Sequence, residues 1–143
     1  MQLAPSSIAM APSDLQSVAD VVQPSKLFNA ADARFDLALD AVGVRGSGAA
    51  PTVRDSQNAV YHALAGVRLL RSTLVPSTPF YQRQLAATAI GHAGDAVRAL
   101  TQYEQLVRPL ADADLDAGRV PLGALASLDE ARAALFAAAS RLG

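Results

Sequence analysis

The chain has 143 residues, with 12 Lys plus Arg against 13 Asp plus Glu, no Cys and no Trp. That length suits one domain with a core that needs no staple, and the lack of Cys excludes disulfide scaffolds, thiol catalysis and Cys-ligated zinc. A net charge of −1 lacks the broad basic field of a nucleic-acid binder, so no nucleic-acid partner is expected.

Residues 1–12 are uncharged and rich in Ser, Pro and Ala. They read as a flexible arm, an unconventional export signal or a segment that orders on a partner. No basic residue precedes Lys26, so no Sec-type signal peptide is expected. Mean hydropathy is +0.21, yet a membrane span needs about 20 mainly apolar residues. The longest uncharged stretches, Met1–Ser13 and Ser56–Val67, are shorter and interrupted by polar residues. No transmembrane segment is expected, and the protein is placed in the cytoplasm or in a larger assembly.

Residues 13–143 read as one helical domain. Ala occurs 31 times; it is the best helix former, and apolar positions recur at helical spacing. Ser13-Asp14-Leu15-Gln16 is a capping box that opens a short helix stopped by Pro24. A second helix starts near Asn29, with Phe28, Ala31, Phe35, Leu39 and Val42 as its stripe and Gly43 as the expected cap. Asp32, Asp36 and Asp40 line another, solvated face.

Residues 44–51 form a Gly/Ala/Ser linker, and Thr52 with Asp55 then caps a third helix that Pro76 ends. Val53, Val60, Val67 and Leu74 repeat every seven residues along it, with Leu64 and Leu70 between them. Thr78-Pro79 opens a fourth helix that runs to Pro109 and carries Ala86, Ile90, Ala93, Val97, Leu100 and Val107. Asp112–Gly118 reads as a loop, and a last helix begins near Pro121 or Ser127 and runs to Leu142. The expected fold is all-α: an antiparallel four-helix-type bundle with a long central hairpin, a short extra N-terminal helix and the arm.

The helix from Asn29 is about half as long as either member of the central hairpin. A shorter helix cannot cover a longer apolar seam. Val53, Val60, Val67, Leu74, Ile90 and Val97 are therefore the candidate interaction seam, to be covered by a second copy or another protein.

His62 and His92 are equidistant from the middle of the hairpin turn, so an antiparallel pair could hold them level around a metal or haem. Against this, His62 is turned about 200° from Val60, and no Glu-x-x-His pair exists. No metal or cofactor is expected. His62-Ala63-Leu64-Ala65-Gly66 resembles the His-x-Leu-Lys-Gly core of histidine phosphotransfer domains, which are helical bundles of similar size. The resemblance implies that His62 accepts a phosphoryl group and that Gly66 gives a partner access. It spans five residues; Ala65 stands where the family has a basic residue, and Arg68 where a small or hydroxyl one is expected.

Asp112, Asp114 and Asp116 begin like a calcium loop, but Ala117 stands at the turn glycine and Gly123 at the bidentate Glu. The glycines of residues 43–48 follow a helix and lack nucleotide-loop spacing. Arg68 and Arg71 flank a polar face. No catalytic constellation emerges. The expected function is non-enzymatic: a helical interaction or structural protein, self-associating or serving a secretion-associated or virion-type assembly. The alternatives are a phosphotransfer-type domain using His62 and a metal or haem bundle using both histidines.

Overall fold

Five helices follow one another in a computed structural model that describes residues 28–43 and 48–142. The arm, the Ser13–Gln16 capping box with its helix, and residues 44–47 of the linker lie outside the described residues. The helices are α1 (Asn29–Ala41), α2 (Val53–Thr73), α3 (Phe80–Val107), α4 (Asp112–Asp116) and α5 (Leu122–Leu142). No strand occurs among the described residues, and no helix there is long and apolar enough to cross a membrane. α3 packs along α5, α5 also meets α1, α1 packs along α2, and α2 along α3.

Local chemistry accounts for most boundaries. Thr52 caps α2: its Oγ1 accepts from the Asp55 N–H at 3.0 Å, while Asp55 Oδ2 accepts from the Thr52 N–H at 2.9 Å. Such a cap contributes about 1 kcal/mol. Thr78 does not cap α3. Its hydroxyl turns back to accept from the Val75 N–H at 2.8 Å, and the Arg83 side chain donates to the Thr78 and Val75 carbonyls, so the residue serves the turn. Gly43 likewise does not supply a left-handed cap. Val42 and Gly43 close α1 by donating to the carbonyls three residues back, Leu39 and Asp40, each at 3.3 Å, and Arg132 of α5 donates from Nε to the Val42 carbonyl at 2.6 Å.

The segment expected to be a loop contains α4. Its end is a Schellman motif: Gly118, at φ 72°, donates to Leu115, and Arg119 donates to Asp114 at 2.8 Å. A Cβ on Gly118 would stand 2.6 Å from the Gly48 carbonyl oxygen, so both conformation and space demand glycine here. α5 starts at Leu122, matching the earlier of the two expected positions.

Two apolar clusters form the interior. One gathers Ala38, Val42, Ala59, Ala96, Leu100 and Tyr103 with α4 and α5; the other gathers Phe28, Phe35, Leu70, Ala86 and Leu142. Gly66 marks a close crossing of α1 and α2. A Cβ there would lie 2.6 Å from Phe35 Cε1, so the ring of α1 occupies the space a side chain on α2 would need. Two buried polar ties fix the other end of the hairpin. Ser56 Oγ donates to the Leu100 carbonyl at 2.9 Å, and the Tyr103 hydroxyl donates to the Pro51 carbonyl at 2.7 Å.

α1 has 13 residues and α3 has 28, so part of the hairpin does extend past α1. The chain covers part of that excess itself. Leu115 of α4 is buried in the Tyr103 cluster, and the Ala50 N–H donates to the Leu115 carbonyl at 2.7 Å. The length mismatch alone therefore does not require a second chain.

Two predictions arise from this packing. Gly66→Ala should destabilise the protein by about 1–3 kcal/mol through overpacking against Phe35. Gly91→Ala, with nothing within 4 Å of the added methyl, should stabilise it by about 0.5–1 kcal/mol; denaturant unfolding of both variants checks the contrast. Burial raises the Tyr103 hydroxyl from 10.0 to about 12, with Arg132 opposing and Asp55 reinforcing the rise. Its contribution is complete below pH 10 and is lost as pH climbs from 10 toward about 12. Tyr103→Phe should cost about 1 kcal/mol at neutral pH and flatten that alkaline loss, as read from unfolding curves across pH.

Candidate functional site

Two surface features hold the residues singled out by sequence. The first is an apolar groove of about 210 Å³ between α2 and α3. Leu64 and Val67 form one wall, Ile90, Ala93, Gly94 and Val97 form the other, and Arg71 stands at the rim. Gly94 and Ala93 leave the depression, because neither carries a side chain long enough to fill it. Leu64 is 42% exposed, a large apolar side chain facing water at the edge of the groove.

The heptad seam is divided by the fold. Val67, Ile90 and Val97 meet in the groove, whereas Val53, Val60 and Leu74 do not line it. Val67 is buried, and the other five seam residues are half-buried. Val53, Val60 and Val97 pack against the Tyr103 cluster, and Leu74 and Ile90 against the Phe35 cluster. Leu64, which lies between heptad positions, proves the more open residue, while Leu70 is fully buried. Further exposed aromatics lie at Phe80 and Phe136.

The second feature surrounds His62, which is half-buried on α2. Arg34 of α1 donates from Nη1 to His62 Nδ1 at 3.2 Å, and the Tyr61 ring meets the imidazole edge-on with centroids 5.4 Å apart. Because an arginine can only donate, Nδ1 is the acceptor. A neutral ring then carries its proton on Nε2. In this geometry Nε2 is a donor rather than a nucleophile, and phosphoacceptor chemistry there would require the ring to release Arg34. Gly66, the small residue of the phosphotransfer-like motif, is buried against Phe35, so it serves the α1–α2 crossing.

Arg34 was not singled out by sequence reasoning. The available signal was negative: Ala30, Ala31, Leu37 and Ala38 occupy its helical neighbour positions, so no acid can pair with it along α1. Beside the guanidinium and Tyr61, a hollow of about 340 Å³ opens between α1 and α2, reaching Arg68, Leu69 and Ser72 over the Ala65 floor.

His92 is half-buried on α3. Among the described residues no group of three or more His, Asp or Glu side chains gathers in metal-binding proximity. Asp112, Asp114 and Asp116 lie on α4, and Arg119 occupies Asp114 Oδ1 through Nε at 3.1 Å and Nη2 at 3.0 Å. On α1, desolvation and then the neighbouring Asp36 charge hold the Asp32 carboxyl above its ordinary range. No protein-family model, curated protein or solved structure matches the chain.

The Arg34–His62 contact makes a spectroscopic prediction. Side-chain ¹⁵N spectra of neutral His62 should show the Nε2–H tautomer, and Arg34→Gln should shift the tautomer balance at His62 while leaving His92 unchanged. An Nδ1–H tautomer at His62 would contradict the contact.

Proposed function

We propose that this chain is a non-enzymatic helical interaction protein whose working surface is the α2–α3 groove. The observation carrying this reading is an apolar depression open to water, with Leu64 exposed at its edge and Val67, Ile90 and Val97 in its walls. Exposed apolar grooves of this kind mark sites of protein contact. The occupant in this reading is a second copy, making the protein a self-associating subunit or accessory of a larger assembly, of the secretion-associated or virion type. Its four longer helices form an antiparallel bundle with α2 and α3 as the central hairpin. The closed circuit of neighbours, α1 to α2 to α3 to α5 and back to α1, supports that arrangement.

A second reading makes His62 a phosphoacceptor. It is supported by Arg34, whose guanidinium supplies from another helix the basic group that Ala65 lacks. Radiolabel transfer to His62 from a phosphorylated receiver is its test.

For the leading reading, light scattering at micromolar concentration should give a mass above that of one chain. Leu64→Glu, which places a charge at the exposed edge of the groove, should reduce the mass to a single chain while leaving helix content intact. A wild-type mass equal to one chain would end the self-association proposal.

A further inference from the structure

The hollow between α1 and α2 brings together guanidiniums from two different helices, Arg34 and Arg68. Arg98, Arg108, Arg119 and Arg132 each have an acid within ion-pair distance: Asp95, Glu104, Asp114 and Asp129. Arg34 and Arg68, which line the hollow, form no ion pair among the described residues. The reason lies in the sequence. No Asp or Glu occurs from Ser56 to Gly94, so Arg68 has only Leu64, Ala65, Arg71 and Ser72 at its helical neighbour positions. Asp32 and Asp36 are two residues either side of Arg34, about 200° around the helix, and burial with mutual repulsion raises Asp32 on that other face.

Two unneutralised guanidiniums on two different helices thus share one depression. Arg34 is not free to wander, because one N–H is held by His62 Nδ1 at 3.2 Å, and its remaining N–H groups are available. Tyr61, oriented by its edge contact with His62, adds a hydroxyl donor at the wall. Ser72 adds no donor, since its hydroxyl proton is given to the Leu69 carbonyl at 2.8 Å. Ala65 and Leu69 make the remaining surface apolar.

We infer that this hollow is a binding site for a phosphate group, with Arg34 and Arg68 as its two cationic arms and Tyr61 as a third donor. A guanidinium fork pairs two oxygens at once. A carboxylate has only two oxygens and is occupied by one fork, whereas a phosphate presents enough oxygens for both arms and the phenol together. The apolar floor and the volume of about 340 Å³ leave room for a small organic group carrying the phosphate. The site binds without transferring anything, lies on a different helix pair from the α2–α3 groove, and goes beyond the interaction function proposed above.

Titration of the full chain with inorganic phosphate and with glycerol 3-phosphate, at matched ionic strength, tests the site. Backbone amide spectra and calorimetry provide the readouts. Saturable shifts should centre on Arg34, Ala65 and Leu69, with acetate much weaker. Each lost charge-assisted contact is worth about one factor of ten. Arg34→Gln and Arg68→Gln should therefore each weaken binding about tenfold, whereas Arg98→Gln, whose guanidinium pairs with Asp95, should not. Sedimentation with phosphatidylcholine vesicles, with and without phosphatidic acid, distinguishes the source. Binding of free glycerol 3-phosphate assigns a soluble monoester. Binding confined to inorganic phosphate and phosphatidic acid assigns a lipid headgroup. Equal shifts with acetate, no saturable binding of any phosphate probe, or unchanged affinity in both arginine variants would overturn the inference.

Discussion

Close approach of helix backbones is the constraint on which the rest of this structure depends. The buried faces are lined largely by alanine, including Ala59 and Ala63 on α2 and Ala86, Ala89, Ala93 and Ala96 on α3. Methyl groups fill little volume, so interior density near that of other proteins is reached only when the helices draw together. Bulk is then concentrated in a few side chains. Phe35 set into the space above Gly66 is the sharpest instance; Tyr103, Leu100 and Leu135 fill the opposite end.

The same constraint explains what the sequence made legible. The long helices were readable because alanine propensity, helical spacing and proline punctuation agree, and because Thr52 and Asp55 form a capping box by local chemistry alone. α4 was not readable. Its five residues look like a loop by composition, and they are held by contacts distant in sequence, notably Leu115 in the Tyr103 cluster and its carbonyl on Ala50. Gly43 and Thr78 misled for a related reason: each has the residue type of a cap, but Arg132 takes the neighbouring Val42 carbonyl and the Val75 N–H takes the Thr78 hydroxyl.

The candidate surfaces divide along the same line. Three of six seam residues meet in the groove because heptad spacing identifies a helix face but not which part the neighbouring helices leave open. Leu64 lies off the heptad and still stands at the opening. The His62 corner depends on a helix-to-helix contact over 28 positions in sequence, which periodicity cannot reveal. What could be read was the absence of acids at the helical neighbour positions of Arg34 and Arg68, a pattern that becomes meaningful only once both residues are known to border the same hollow.

The alanine positions of α3 also carry a near-repeat. Ala86, Ala93, Leu100 and Val107 form one buried series at steps of seven, and Ala89, Ala96 and Tyr103 another. Sliding α3 by seven residues, about 10 Å, would lay alanine over alanine through its first half. Such a face is a ruler with identical marks and defines no unique alignment by shape alone. The degeneracy ends where the methyls give way to Leu100 and Tyr103. There the Leu100 carbonyl receives Ser56 and the Tyr103 hydroxyl reaches Pro51, so the register of the whole hairpin is read from its last few marks.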